Sequence, residues 1–163
     1  MVEILPLKKE DCAAAARIEA ESLAEAWSES SIAALCGKSD AVVLAAYMPE
    51  GGSDAPDAVR LPVGLAHCGV VLDEAHINNV SVARDKRRLG IGEALMNALL
   101  EEVKKRGCTV VFLDVRSSNS AALSLYKKLG FTVLGERNGA YAVTDGEKIT
   151  GRENALVMGK KLI

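Results

Sequence analysis

Hydrophobic residues follow two patterns along the chain, one typical of β-strands and one typical of helices. Seven short apolar or β-branched runs predict strands, at residues 2–5, 41–47, 63–72, 75–82, 109–115, 131–135 and 154–160. Four segments with helical composition or spacing predict helices, at residues 11–23, 28–35, 90–106 and 120–129. The third helix shows the clearest periodicity, because its apolar residues all fall on one face: Ile91, Leu95, Met96, Leu99, Leu100 and Val103.

Small polar residues and glycines predict where the helices begin and end. Asp11, Ser28 and the segment 117–119 each precede a helix and are suited to cap its free amide groups. Gly107 and Gly130 follow the last residues of two helices, as glycine does when the chain must turn to positive φ. We therefore expect four separate helices.

Two segments lack a clear period and are expected to be irregular. Residues 49–62 combine Gly, Pro, Ser and Asp and predict a long loop, while residues 136–153 predict a loop or a ragged hairpin. The order is strand, two helices, three strands, helix, strand, helix, two strands. It indicates one mixed α/β domain over residues 1–163, with a partly antiparallel sheet.

Composition narrows the functional classes. The 163 residues are 49% hydrophobic and 26% charged, with a net charge of −2, which argues against binding nucleic acid through bulk charge. No apolar run approaches the roughly 20 residues of a membrane span, and no signal segment is evident, so we expect a cytoplasmic protein. Four widely spaced cysteines and two separate histidines predict reduced thiols and no metal site.

Candidate chemistry is concentrated at residues 79–93, where a strand, a basic stretch and two glycines lead into the third helix. The first amides of a helix have no partner within it, and glycine lets a phosphate approach the backbone, so this junction is suited to bind an anion. A tight turn with solvated arginines is the structural alternative. The junction lacks the Gly-Lys-Ser/Thr of a P-loop and the third glycine of a dinucleotide site.

The sequence Arg87-Arg-Leu-Gly-Ile-Gly92 resembles the (Gln/Arg)-x-x-Gly-x-(Gly/Ala) motif of the GNAT superfamily of N-acetyltransferases. Further segments resemble its RimI-type branch, which acetylates the N-terminal alanine of a small-subunit ribosomal protein: Trp27–Glu29, Val70–Ala75, Lys105–Gly107, Leu113–Asn119, Ala121–Phe131 and Thr144–Gly146. The resemblance implies the α/β (α+β) GNAT acyl-CoA N-acyltransferase fold, a mixed, mostly antiparallel sheet flanked by helices.

The resemblance implies acetyl-CoA as co-substrate and assigns residues to it. The pantetheine arm would lie along the backbone of Val80, Ser81 and Val82. The pyrophosphate would lie on the turn and helix start formed by Arg87, Arg88, Leu89, Gly90, Ile91, Gly92 and Glu93. Asn119 matches a residue that touches the cofactor, and it is also suited to cap its own helix.

The resemblance also assigns two catalytic residues. Tyr126 matches the tyrosine that protonates the departing CoA thiolate, and a phenol is acidic enough to share a proton with a thiolate in the transition state. Asp114 stands where the RimI-type branch usually carries a glutamate proposed as the general base. The Asp114 side chain is one methylene shorter than that glutamate. It acts as the base directly or through a water, or it is only a structural partner of Arg116 or of a loop amide.

Acceptor recognition is the part of the resemblance that this sequence matches least. Glu74 is the next candidate for the general base and a candidate for substrate binding, with a solvated turn residue as the alternative. Tyr141, also a candidate for substrate binding, stands alone in a segment where the family usually has paired tyrosines. Trp27 is expected either in the core or on the slot wall. We expect acetyl transfer to a protein N-terminus, that of a ribosomal protein, by direct attack, in a monomer or weak dimer that contacts no nucleic acid or membrane. A lysine or small-amine acceptor, or a CoA-binding module without turnover, are the alternatives.

Overall fold

The computed structural model describes residues 1–162, and these form a seven-stranded sheet with helices on both faces. The strands are β1 (Glu3–Pro6), β2 (Ala41–Pro49), β3 (Arg60–Val71), β4 (Glu74–Val82), β5 (Val110–Arg116), β6 (Thr132–Asp145) and β7 (Lys148–Lys161). The α-helices are α1 (Cys12–Ser22), α2 (Glu29–Leu35), α3 (Ile91–Lys105) and α4 (Ser120–Lys128). The predicted order of elements is confirmed.

The sheet has the strand order β1-β2-β3-β4-β5-β7-β6, and every neighbouring pair is antiparallel except β4 and β5. Parallel neighbours need a crossover connection, and α3 provides it here. The predicted mixed, mostly antiparallel sheet flanked by helices is confirmed.

Alternate side chains of the central strands enter two separate apolar clusters, because successive residues of a strand point to opposite faces. Val42 and Leu44 of β2 pack with α3 and α4 on one face. Val43 and Ala45 pack with α1 and α2 on the other. The six apolar residues of α3 predicted to share a face are all buried. This anchors α3, and with it the turn that precedes it, against the sheet.

The predicted helix ends are largely confirmed. Ser28 and Asn119 accept hydrogen bonds from the backbone amides of their helices, and Gly107 and Gly130 follow α3 and α4 with φ of +88° and +92°. The prediction that Asp11 caps α1 is wrong. Its side chain makes no cap bond and instead accepts a 2.8 Å hydrogen bond from the buried Tyr47 hydroxyl.

Residues 136–153 form most of a long, irregular hairpin, which confirms the second of the two alternatives predicted for this segment. Strands β6 and β7 run 14 residues each, meet at Gly146, where φ is +63°, and pair with three register shifts. The hairpin is exposed and polar, so it lacks the two-residue periodicity by which a half-buried strand is recognised. The loop predicted at residues 49–62 is also shorter in the structure, because β3 already begins at Arg60.

Candidate active site

The two parallel strands of the sheet separate after four paired residues and leave a cleft between them. Pairing runs from Glu74 opposite Val110 to Ile77 opposite Leu113, and within residues 1–162 no further ladder pair joins β4 to β5. A register shift between β3 and β4 places Asn78 as an extra residue on β4 at this point. Such a bulge bends and twists a strand, which accounts for β4 turning away from β5.

The cleft has a volume of about 470 Å³ and draws its walls from five parts of the chain. It is lined by His76–Val80 of β4, Phe112–Arg116 of β5, Asn119, Ala122 and Tyr126 around α4, Arg137 and Tyr141 of β6, and Leu23, Glu25 and Trp27 after α1. Both predicted catalytic residues therefore face one cavity.

The strand segment predicted to bind the pantetheine arm has one free edge. Val80, Ser81 and Val82 pair with β3 on one side, while their other side borders the gap between β4 and β5. Backbone groups on a free edge can bond an extended chain that carries amides, as a further strand would. The Val82 carbonyl is already an acceptor for Arg87 Nε, at 3.2 Å, and for the Ser22 hydroxyl, at 3.4 Å.

The turn before α3 has the backbone geometry of an anion site. Gly90 is the N-cap residue of α3, has φ of +77° and places no side-chain acceptor on the first amides of the helix. Arg88 also adopts a positive φ, +63°, which is rare for a residue with a side chain. Free amides and the positive end of the helix dipole attract a phosphate. A Cβ at Gly90 would meet no atom within 4 Å, so the space beside it is open.

Some charged side chains of this turn bind other parts of the protein, and one does not. Arg87 donates to Val82 and, at 2.9 Å, to the Ser22 hydroxyl of α1, so it ties the turn to the fold. Glu93 pairs with Lys128 of α4 at 2.9 Å. Arg88 is exposed and makes none of these contacts, which leaves it as the cation best placed for a phosphate.

Residues of α4 border the cleft beside β5. Asn119 accepts a 3.2 Å hydrogen bond from the Ala122 amide, so it is a helix cap, and its side-chain NH₂ group remains for a ligand. The Tyr126 ring packs against Phe131, with centroids 5.9 Å apart. Burial, followed by the neighbouring Tyr141, raises the pKa of Tyr126 to about 12. The phenol is therefore protonated at neutral pH, as a proton donor must be.

Asp114 and Tyr141 line the same cavity as Tyr126. Asp114 is half-exposed and pairs with Arg137 of β6, Nε to Oδ2, at 3.2 Å. The alternative pairing of Asp114 with Arg116 is wrong, since Arg116 binds Glu25 and Glu153 and lies 4.6 Å above the Tyr141 ring. Burial, followed by the Asp114 carboxylate, raises the pKa of Tyr141.

Several cleft residues were not predicted from the sequence. His76 lines the cleft, stacks on Phe112 with centroids 5.3 Å apart, and lies 3.5 Å from Glu74, which itself is outside the cleft lining. Asn78 and Arg137 line it as well. His76 and Asn78 are two residues apart on a predicted strand, and that spacing was the available signal that they could share a face.

Trp27 combines the two expected environments. It is half-buried against the cluster around α1 and α2, and one side of it also lines the cleft. Within residues 1–162, no group of three or more His, Cys, Asp or Glu side chains is arranged to hold a metal ion. In the same range, no helix combines the length and the apolar character that crossing a membrane requires.

Residues 13–131 match the model of the acetyltransferase (GNAT) family. The chain belongs to this family. It is 37% identical over 158 residues to the [ribosomal protein bS18]-alanine N-acetyltransferase of Escherichia coli K12, which covers 97% of this chain and 96% of that protein. Family, fold and acetyltransferase class, with acetyl-CoA as co-substrate, are thereby confirmed.

Solved structures of the GNAT fold superpose closely on this acetyltransferase. The crystal structure of the ribosomal-protein-S18-alanine N-acetyltransferase from Escherichia coli has a TM-score of 0.82 at 34% identity, covering 99% of this chain and 94% of that one. Arabidopsis thaliana NAA60 in complex with acetyl-CoA has a TM-score of 0.83 at 18% identity, covering 99% and 98%, and shows the fold alone. The roles of individual cleft residues remain predictions.

Proposed function

We propose that this enzyme transfers the acetyl group of acetyl-CoA to the α-amine of a protein N-terminus, with the N-terminal alanine of a small-subunit ribosomal protein as its acceptor. The observation that carries the proposal is the full-length similarity to enzymes named for that acceptor. A cleft that holds a protonated phenol and a carboxylate supports the chemistry.

The reaction proceeds by direct attack in a ternary complex. The amine nitrogen forms a bond to the thioester carbonyl carbon, the C–S bond breaks, and Tyr126 gives its proton to the leaving sulfur. The proton lost by the amine passes to Asp114, directly or through a water. Acetyl-CoA supplies the activated acyl group. Its pantetheine arm lies along residues 80–82, and its pyrophosphate lies on residues 87–93. Asn119 contacts the cofactor from the start of α4.

The cysteines support direct attack over an acyl-enzyme. None of the four, all within residues 1–162, lines the cleft. Burial raises the pKa of Cys12 to about 11 and that of Cys68 to about 12, so both remain thiols at neutral pH. A thiol is a far weaker nucleophile than a thiolate.

A peptide panel tests the proposed function. Acetyl-CoA is incubated with peptides that begin with Ala, Ser or Met, including the N-terminal sequence of ribosomal protein S18, and free thiol release is followed. Mass spectrometry then locates the acetyl group. We expect α-acetylation with preference for the alanine peptide. Acetylation on lysine ε-amines alone would contradict the α-amine assignment, and binding of acetyl-CoA without thiol release would contradict turnover.

The Asp114→Asn variant tests the general base. We expect kcat/KM for the alanine peptide to fall about tenfold at pH 6.5, where the amine is protonated, and by less at pH 9, where an α-amine with a pKa near 8 has lost its proton. Asp57→Asn removes a carboxylate from the exposed loop 53–59 and is the matched control. An Asp114→Asn rate equal to wild type at both pH values would remove Asp114 from the mechanism.

A further inference from the structure

A buried polar cluster lies directly behind Asn78, a residue of the cleft lining. Glu19 of α1 and His67 of β3 have no exposed side-chain surface, and His67 Nε2 lies 2.6 Å from Glu19 Oε1. The second ring nitrogen, His67 Nδ1, lies 3.2 Å from Asn78 Nδ2. Buried groups of this kind lose much solvation, so each is retained only when its partners satisfy it.

The partners of the cluster fit a neutral His67 ring that is protonated at Nε2. When Glu19 is a carboxylate it can only accept, and His67 Nε2 then carries the proton of the hydrogen bond between them. In the neutral ring Nδ1 is then an acceptor, and it accepts a hydrogen bond from the Asn78 NH₂ group. The Asn78 carboxamide is thereby held in one of its two orientations, with NH₂ toward the protein interior.

The other half of the Asn78 carboxamide is available to the cleft. Asn78 is half-buried and lines the cavity, and no protein donor within residues 1–162 bonds its Oδ1. Because Nδ2 is hydrogen-bonded to His67, Asn78 presents the acceptor Oδ1 to the cleft rather than a donor. An incoming peptide with a free ammonium and backbone N–H groups presents donors.

The same cluster also holds Trp27, a second residue of the cleft lining. The second oxygen of Glu19 accepts a 2.7 Å hydrogen bond from the Trp27 backbone N–H. The Trp27 ring meets the His67 ring edge-on, with centroids 4.9 Å apart. Glu19 and His67 therefore hold two walls of the cleft, one on β4 and one on the segment between α1 and α2.

We propose that His67 is a positioning residue for acceptor binding: it orients Asn78 so that Oδ1 accepts a hydrogen bond from the amino-terminal ammonium or first backbone N–H of the acceptor peptide. The inference deepens the proposed function and rests on it, since the ligand is a peptide α-amine. His67 itself touches no substrate, and the cofactor contacts of residues 80–93 do not depend on it.

The His67→Gln variant separates this role from a structural one. The Gln amide can place an N–H near the position of Nε2 and so keep the bond to Glu19, but it offers no acceptor at the position of Nδ1. We expect KM for the alanine peptide to rise about tenfold, as for the loss of one oriented hydrogen bond. KM for acetyl-CoA and kcat should stay within about twofold of wild type.

A double-mutant cycle provides the matched controls. Asn78→Ala should raise the peptide KM as much as His67→Gln, and the double variant should raise it no further, because both changes remove one interaction. Asn97→Ala, an exposed change on α3, should leave all constants unchanged. A peptide KM unaffected by His67→Gln, equal increases for peptide and acetyl-CoA, or increases that multiply in the double variant would overturn the inference.

A second measurement is independent of turnover. Nitrogen-15 NMR of the imidazole in the wild-type protein should show the neutral ring protonated at Nε2, and an imidazolium or an Nδ1–H ring would overturn the inference even if His67→Gln failed to fold. The proposed function fails in a different way, when wild-type enzyme acetylates no α-amine. If the wild-type enzyme is active and the peptide KM is unchanged in His67→Gln, the proposed role of His67 is wrong and the proposed function stands.

Discussion

Replacing Tyr126 by Phe is expected to lower kcat by about two orders of magnitude, because the CoA sulfur then departs without a positioned proton donor. The ring itself is kept, so its packing against Phe131 and the stability of the fold should change little. KM for acetyl-CoA should change little as well, since the hydroxyl acts as the C–S bond breaks. Steady-state kinetics with saturating alanine peptide measure the effect.

Two controls distinguish proton donation from loss of a hydroxyl. Tyr47→Phe removes hydrogen bonds to Asp11 and Lys8 far from the cleft, so it should cost about 1–2 kcal/mol of stability and leave kcat unchanged. Burial raises the pKa of Tyr126 to about 12, so its acid form persists and wild-type kcat should not fall between pH 8 and 10. A Tyr126→Phe enzyme with wild-type kcat would exclude this role.

Replacing Gly64 by Val is expected to weaken acetyl-CoA binding through the packing of α3. A Cβ at Gly64 would lie 3.0 Å from Leu95 Cδ1, 3.2 Å from the Ser81 carbonyl oxygen and 3.3 Å from Ile91 Cγ2. The added methyl groups must push the first turns of α3 away from the sheet, at a cost of about 1–3 kcal/mol of stability. Since those turns carry the proposed pyrophosphate amides, KM for acetyl-CoA should rise roughly tenfold.

A graded series makes this result interpretable. Gly64→Ala adds one methyl group and should give an intermediate KM, with smaller loss of stability. Gly69→Val lies on the same strand, where a Cβ would come no closer than 4.0 Å to the Asp40 carbonyl oxygen, and should leave acetyl-CoA binding unchanged. An unchanged KM for acetyl-CoA in a folded Gly64→Val protein would show that the close packing of α3 on β3 does not determine how tightly acetyl-CoA binds.

The backbone geometry of the proposed cofactor side could be predicted from the sequence because it depends on neighbouring residues. A strand, two glycines and an amphipathic helix follow one another between Glu74 and Lys105, and each imposes its own backbone conformation. The amides before α3 and the caps of α4 are formed by neighbours in the chain, so their positions follow from short-range rules. The free edge of β4 is the exception, since it depends on a register shift against β3.

The acceptor side could not be predicted in the same way because its contacts join distant residues. His67 and Glu19 are 48 positions apart, and a single buried histidine on an apolar strand carries no signal of its partner. Arg137 reaches Asp114 only because the exposed hairpin folds back beside β5. Polar strands that pair at the surface are specified by long-range register, which composition does not record.

The extra residue at Asn78 has a consequence for how this sheet tolerates changes of length. Strand β4 uses three residues, 77–79, where β3 uses two, so a deletion of Asn78 would restore an unbroken ladder with every other residue opposite its present β3 partner. Residues 79–82 would keep their present faces, but β4 would lose the bend that turns it away from β5. A chain one residue shorter could therefore keep the same elements in the same order and form a closed sheet, without a cavity in which two substrates meet.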